Sequence, residues 1–161
     1  MKKVYFIALF IFTILNSKSS FAQLSETTMK DIIDSVSFNL INLEDNLDKE
    51  IVNVTIDLLA GTKSEKRIYR YLDNGFNYNL NLIGDRRISE LNVEVNRKSS
   101  EKWIKVDRIA GNNPQLEIYP DEYSLYEFII NVKSFNEDNT AGHFAFLLYH
   151  DDPVKSKKAE N

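Results

Sequence analysis

The stretch that most constrains the fold is Phe76 to Leu82, where every second residue is aromatic or aliphatic. Asparagines occupy the positions between them, so an extended chain would have one apolar side and one polar side. This alternation is typical of a strand that covers a core with one face and meets solvent with the other. The stretch follows Asp73-Asn74-Gly75, a sequence that favours a tight turn between two strands.

Further segments with the composition of strands follow one another between Arg67 and Tyr149, separated by polar turns. They are residues 67–72, 88–96, 103–107, 116–119, 124–134 and 142–149. Short strands at regular intervals predict a mainly β fold, an antiparallel β-sandwich or jelly roll. The chain has no internal repeat and no low-complexity linker. We therefore predict one β-sandwich over residues 62–152, followed by a flexible tail at 153–161.

An amphipathic helix is predicted over residues 24–46. Its apolar residues recur at spacings of three and four, which places them along one side of a helix. They are Met29, Ile33, Val36, Leu40, Leu43 and Leu47. A helix with one apolar side needs a surface to cover, so we expect it to pack on a face or an open end of the sheet. A self-associating coiled coil of about three heptads is the alternative.

Residues 48–61 fit two structures. Ile51, Val54 and Leu58 suit a second helix that stops at Gly61. The alternation from Val52 to Leu58 suits a strand equally well. Because Leu59-Ala60-Gly61 is typical of a helix that ends in glycine, we predict helix, and with it a helical brace over residues 24–61.

The first 22 residues have the layout of a secretory signal peptide. Lys2 and Lys3 precede an apolar run from Val4 to Leu15, and Ser20-Phe21-Ala22 supplies small residues before a cleavage point at Gln23. The apolar run is shorter than the roughly 20 residues of a membrane-spanning helix. A short N-terminal anchor is the alternative. We predict a secreted or periplasmic protein with no integral membrane segment after cleavage.

Composition excludes several classes of site. Cysteine is absent, which excludes disulfides, cysteine nucleophiles, cysteine metal ligands and the lipid-bearing cysteine of a lipoprotein. Cleavage after Ala22 would leave 139 residues with 17 basic and 24 acidic side chains, a net charge of −7. This acidic balance argues against nucleic acid and anionic membranes as partners.

The sequence contains no motif of a known catalytic chemistry. A serine nucleophile elbow, a zinc-binding His-Glu-x-x-His and a phosphate-binding loop are all missing. The two histidines, His143 and His150, lie seven residues apart on the last predicted strand, about 23 Å if it is extended. We expect each to be a surface or strand-end histidine. We predict that the protein is not an enzyme and has no catalytic or cofactor-binding residues.

Tyr69, Tyr71 and Trp103 are the candidate ligand-binding residues, because aromatic side chains can stack on sugars or peptides. Tyr69 and Tyr71 share one face of a predicted strand. They could be exposed on the outer face of the sheet or covered by the N-terminal helix. We expect them to be covered, because the apolar side of the helix needs a partner surface.

The order of these segments resembles the secreted bacterial β-sandwiches related to pre-peptidase C-terminal domains, including stand-alone forms preceded by helices. The resemblance runs from Asp57 to Tyr149 and includes Tyr71-Leu72-Asp73-Asn74-Gly75 and Pro114-Gln115-Leu116-Glu117-Ile118. It implies a non-catalytic accessory or binding module whose partner is an extracytoplasmic protein or glycan. A carbohydrate- or peptide-binding domain that uses exposed tyrosine and tryptophan is the alternative.

The resemblance also implies a possible calcium site. Some members of the family bind calcium through an acidic cluster after the second strand. The corresponding acids here are Asp85 and Glu90, and Asn92 stands where a second aspartate is expected. We predict no cofactor, and calcium held by Asp85 and Glu90 is the alternative.

Overall fold

The computed structural model describes the backbone of residues 20–151 and the side chains of residues 28–151. Most of the predicted signal peptide, and all of the predicted tail at 153–161, lie outside these residues. The chain begins with helix α1 and a short π-helical segment and continues as eight strands. The elements are α1 (Ser20–Ile41), the π-helical segment (Asn42–Asn46), β1 (Glu50–Ala60), β2 (Glu65–Leu72), β3 (Tyr78–Gly84), β4 (Ile88–Ser99), β5 (Lys102–Gly111), β6 (Gln115–Ile118), β7 (Ser124–Phe135) and β8 (Ala141–His150).

The strands form two four-stranded antiparallel sheets. Sheet A has the order β1-β8-β3-β6 and sheet B has the order β2-β7-β4-β5. Apart from the β4–β5 hairpin, each connection passes from one sheet to the other. This is the strand order of an eight-stranded jelly roll. The predicted fold class is confirmed: an antiparallel β-sandwich with an N-terminal helix packed on it.

The core lies between the two sheets and is built from alternate residues of both. Phe128 of β7 meets Phe146 of β8 edge to face, with ring centroids 5.1 Å apart. The alternation predicted from Phe76 to Leu82 is confirmed for its inward face. Tyr78, Leu80 and Leu82 are buried in this core, and Phe76 packs at its margin.

Helix α1 and the π-helical segment pack on the outer face of sheet A, as the predicted brace requires. Ile32, Val36 and Leu43 form a buried cluster with Ala145 and Leu147 of β8. This second layer of apolar contacts covers a sheet face that would otherwise meet solvent. No helix among the described residues is long and apolar enough to cross a membrane.

The apolar side of the helix is rotated from the predicted one. Met29, Ile33 and Leu47 are exposed, whereas Ile32 is buried. Because Ile32 and Ile33 are adjacent and both apolar, periodicity alone does not decide which of them faces the sheet. Contact with β8 decides it, since Ile32 and Val36 lie one turn apart on the side that meets the sheet.

The helix predicted at residues 48–61 was wrong. Glu50–Ala60 is strand β1, which pairs with β8 along its length as an edge of sheet A. Gly61 has a φ of 78°, a left-handed conformation that glycine adopts readily after a helix or in a turn between strands. The same glycine therefore fits both structures. The helical brace ends at Asn46, and the sandwich begins at Glu50.

Candidate binding face

The outer face of sheet B is formed by alternate residues of its four strands, and we call it the aromatic face. Strand register arranges its side chains in rows across the sheet. One row is Arg67, Ile129, Glu94 and Arg108; the next is Tyr69, Glu127, Asn96 and Lys105; the third contains the pairs Tyr71–Leu125 and Lys98–Trp103. The rows bring together residues from distant parts of the chain.

Four aromatic side chains on or beside this face form two ring pairs. Tyr69 and Trp103 have ring centroids 6.0 Å apart at an interplanar angle of 45°. Tyr71 lies nearly parallel to Tyr123, with centroids 5.2 Å apart and an angle of 7°. Tyr69 and Trp103 belong to the two edge strands, whose axes are about 14 Å apart at the usual strand spacing. Their rings therefore lean towards each other across the two central strands.

The four rings are nevertheless open to solvent. Each of these residues is at least 39% exposed, and Tyr71 and Tyr123 are 59% and 64% exposed. Exposed aromatic residues that are grouped on one surface are typical of a contact site for another molecule. The aromatic face is thus the candidate binding surface of the sandwich.

Glu127 is buried in the middle of the aromatic face and is only 3% exposed. Its Oε1 accepts hydrogen bonds from the Arg67 guanidinium at 2.6 Å and from the Tyr69 hydroxyl at 2.8 Å. Its Oε2 accepts a hydrogen bond from the Asn96 amide at 3.3 Å. The carboxylate therefore holds side chains from β2 and β4 in fixed positions around it.

These contacts also set the protonation states of the pair Glu127–Tyr69. Burial alone would raise the pKa of Glu127, but the hydrogen bonds from Tyr69, Arg67 and Asn96 outweigh it and lower the pKa. The hydrogen bond to Glu127 raises the pKa of the Tyr69 hydroxyl. At neutral pH the carboxylate is ionised and the tyrosine is protonated. The pair therefore positions the ring of Tyr69 rather than exchanging protons with a substrate.

The structure brings the three predicted binding residues, Tyr69, Tyr71 and Trp103, to one sheet face. The prediction that the helix covers the two tyrosines was wrong. Helix α1 packs on sheet A, and both tyrosines lie on the outer face of sheet B. The helix takes the other sheet because the outer face of β8 there carries the apolar residues Ala145 and Leu147.

Three further residues of this face were not predicted: Glu127, Asn96 and Lys98. A signal was present, because each lies at a polar position of a strand with alternating side chains. Alternation shows which side of a strand a residue occupies. It does not show that β7 lies between β2 and β4, which is what places Glu127 beside Tyr69.

Both histidines lie near the ends of β8, as predicted, but neither is at the surface. His150 is buried against Phe76 and Tyr78, with ring centroids 4.1 and 5.5 Å away. His143 is buried at the other end of β8, and its Nδ1 lies 2.9 Å from Nη2 of Arg87. His150 faces the core between the two sheets, whereas His143 lies on the outer face of β8, the face that carries Ala145 and Leu147.

Asp85 lies beside His143, in the turn between β3 and β4, and its side chain is fully buried. Its Oδ2 accepts hydrogen bonds from Nε and Nη2 of Arg87 at 3.0 and 2.6 Å and from the backbone N–H of His143 at 2.8 Å. Its Oδ1 accepts one from the backbone N–H of Arg87 at 2.9 Å. Burial alone would raise the pKa of Asp85, but the bonds from Arg87 and His143 outweigh it and lower the pKa.

Strand β8 passes very close to this turn. A Cβ added to Gly142 would lie 2.5 Å from Cγ1 of Ile88 and 3.1 Å from Oδ1 of Asp85. Only a residue without a side chain fits there. The turn around Asp85 is therefore packed tightly against β8, and Asp85 serves as an internal anchor between them.

This arrangement bears on the predicted calcium site. Calcium takes six to eight oxygen ligands. Asp85 fits that role poorly because its carboxylate already accepts hydrogen bonds from Arg87 and from the backbone N–H of His143. Within residues 28–151, no group of three or more acidic, histidine or cysteine side chains is placed to hold a metal ion. Calcium at Asp85 and Glu90 stays the alternative to the prediction of no cofactor.

Removal of calcium tests this prediction directly. If Asp85 and Glu90 hold the ion, EDTA should lower the melting temperature of the purified chain, because a ligand that binds only the folded state stabilises it. Added calcium should restore the original value, and added magnesium should not. A melting temperature that EDTA leaves unchanged contradicts the calcium site.

Fold and surface together define a jelly-roll sandwich with one exposed aromatic sheet face. No family model matches the chain, and no curated protein does. The chain is similar to part of tripeptidyl peptidase 2, with 10% identity and a TM-score of 0.47 over 63% of this chain. It spans only 10% of the length of that peptidase.

Two smaller solved structures are similar over most of their own length. Yersinia pseudotuberculosis-derived mitogen has 12% identity and a TM-score of 0.43, with 68% of this chain and 92% of the mitogen covered. A CBM4 structure has 10% identity and a TM-score of 0.39, with 70% and 83% covered. No family membership follows from these similarities.

Proposed function

We propose that this chain is a non-catalytic binding module that acts outside the cytoplasm and contacts carbohydrate through the aromatic face of sheet B. The observation that carries the proposal is the group of four exposed rings, one of which is held by a hydrogen bond to a buried carboxylate. The location outside the cytoplasm comes from the predicted signal peptide. A sugar-contacting module is also compatible with the accessory role implied by the resemblance to pre-peptidase C-terminal domains.

A carbohydrate suits this face because a sugar ring has two kinds of surface. Its C–H groups pack against an aromatic ring, and its hydroxyl groups need hydrogen-bonding partners at the edges. Tyr71, Tyr123 and Trp103 offer exposed rings, while Lys105 and its ion-pair partner Glu94 lie in the neighbouring rows. A few polar groups beside apolar surface are the usual means of fixing the orientation of a bound ligand.

The rings are also held in place before a ligand arrives. The Tyr69 hydroxyl donates a hydrogen bond to Glu127, and Tyr71 is stacked on Tyr123. Side chains that are already ordered lose less conformational entropy on binding, which favours affinity. Exposed rings with fixed orientations are therefore better suited to binding than equally exposed but mobile ones.

Removing single rings from this face tests the proposal. After a glycan screen has identified a ligand, Tyr71→Ala and Trp103→Ala should each weaken its binding about tenfold or more, because aromatic anchors dominate such contacts. Isothermal titration calorimetry measures the dissociation constants. Thermal unfolding should show that both variants remain folded, since the rings are exposed.

Tyr119→Ala is the matched control. Tyr119 is 63% exposed, almost as much as Tyr71, but it follows β6 of the other sheet and bonds Glu117 there. The Tyr119→Ala variant should bind the glycan with the same dissociation constant as the unaltered chain. Unchanged binding in both Tyr71→Ala and Trp103→Ala contradicts the proposal, as does a screen in which only peptides bind.

A further inference from the structure

The charged residues of the aromatic face carry information about its ligand. From the distribution of cations there we infer that the carbohydrate is acidic, with carboxylate or sulfate groups on its sugar units. This inference rests on the proposed function, because it concerns the same surface. It goes further by naming the class of ligand and the residues that select it.

Three acidic residues of the face have cationic partners within the protein. Arg67 forms ion pairs with both Glu65 and Glu127, at 2.6 Å in each case. Lys105 forms an ion pair with Glu94 at 2.9 Å. Glu65 and Glu127 share Arg67, so these three carboxylates have two cationic partners between them.

Two cations of the face, Lys98 and Arg108, have no carboxylate at ion-pair distance among the described residues, although the charge of Arg108 contributes to lowering the pKa of Glu94. The ammonium group of Lys98 lies 5.5 Å from the ring centre of Trp103. Arg108 donates from Nε to the amide oxygen of Asn92 at 2.7 Å, which leaves the terminal guanidinium nitrogens as donors. Within the part of the chain that the structure describes, neither residue forms an ion pair with a carboxylate.

The positions of the two cations match an extended anionic ligand. Lys98 lies opposite Trp103, and Arg108 lies opposite Glu94 on the same strand pair. Four residues of β4 separate the two positions, which corresponds to about 13 Å along a strand. Lys98 can therefore meet an anionic group on the sugar that stacks on Trp103, while Arg108 meets a second one further along the oligosaccharide.

The net charge of the whole protein opposes binding of a polyanion, so the local cations of the aromatic face matter. The chain has a formal net charge of −4, so its overall field repels polyanions. At physiological salt the field of exposed charges is largely screened beyond about 8 Å. A polyanion that binds must therefore gain from local contacts, and the unpaired cations beside the exposed rings supply them.

Matched charged and neutral probes test the inference. The charged probes are oligogalacturonate and dextran sulfate; their neutral counterparts are methyl-esterified oligogalacturonate and dextran. Calorimetry in 50 mM salt, a low ionic strength that preserves charge contacts, should show at least about tenfold tighter binding of one charged probe than of its neutral counterpart. That preference should fall at higher salt.

Lys98→Gln and Arg108→Gln should each weaken binding of the charged probe about three- to tenfold and leave the neutral probe unaffected.

Lys63→Gln is the control for the change in net charge. Lys63 is exposed in the turn between β1 and β2, so its replacement should leave binding unchanged. Equal weakening by Lys63→Gln and Lys98→Gln would overturn the inference, because the effect would then reflect net charge. Polyglutamate that binds as tightly as the acidic glycan would also overturn it.

The inference and the proposed function can fail separately. Suppose that a neutral glycan binds, Tyr71→Ala abolishes the binding and Lys98→Gln does not affect it. The inference that the ligand is acidic is then wrong, and the proposed binding of carbohydrate by the aromatic face is supported. If an acidic probe binds and Tyr71→Ala with Trp103→Ala leaves it unchanged, both fail. Absence of binding by both charged probes overturns the inference.

Discussion

Replacement of Asp85 by alanine should lower the free energy of unfolding by about 3–5 kcal/mol, the usual cost of breaking a buried ion pair from one side. The Asp85 carboxylate is fully buried and accepts four hydrogen bonds from Arg87 and His143. Its loss leaves the Arg87 guanidinium, whose side chain is 20% exposed, without a counter-charge. Urea unfolding followed by circular dichroism measures the change.

Asp121→Ala is the matched control, because Asp121 also pairs with an arginine. Its side chain is largely exposed, and Glu122 bonds the same Arg97 at 2.9 Å. An exposed ion pair whose arginine also bonds a second acid should contribute no more than about 1 kcal/mol to the free energy of unfolding. Similar losses in Asp85→Ala and Asp121→Ala would contradict the role of Asp85 as an internal anchor.

The same comparison has a defined pH dependence. Because the pKa of Asp85 is lowered in the folded state, its ionised form stabilises the fold above the ordinary aspartate pKa of about 3.9. That contribution is lost as the pH falls through the lower pKa of the folded state. The difference in stability between the unaltered chain and Asp85→Ala should therefore be constant near neutral pH and shrink below about pH 4. A difference that grows on acidification would contradict the lowered pKa.

An aspartate in place of Val36 should detach the helix from sheet A. Val36 is 5% exposed and packs among apolar side chains with Ala145 and Leu147. A carboxylate there would lose its water without gaining a partner, and we expect a loss of roughly 3–5 kcal/mol. Once the helix detaches, the apolar outer face of sheet A meets solvent. Thermal unfolding and light scattering should show lower stability and aggregation.

Phe38→Asp is the control on the same helix, since Phe38 is 74% exposed and its replacement should change stability by no more than about 0.5 kcal/mol. Deletion of residues 24–46 extends the test. It should yield insoluble or unfolded protein, because the outer face of β8 then has no cover. A soluble truncated chain that unfolds cooperatively would refute the role of the helix as a brace.

The sequence by itself determined the strands with strong alternation and the fold class. Side chains of an extended strand point alternately to its two faces. The order Phe76, Tyr78, Leu80 and Leu82 therefore specifies an inward side without reference to the rest of the chain, and the structure has that side inward. The helix was predictable for a similar reason, since its apolar spacing of three and four repeats with the helical turn.

Only the tertiary structure decided which segments lie beside one another. Residues 50–60 are a strand because β8 offers them a hydrogen-bonding edge, although their own sequence also fits a helix. Tyr69 meets Trp103 and Glu127 because sheet B has the order β2-β7-β4-β5. The pairing of strands uses backbone groups that every residue carries. For that reason the neighbours of a strand, and with them the aromatic face, depend on how the whole sandwich packs.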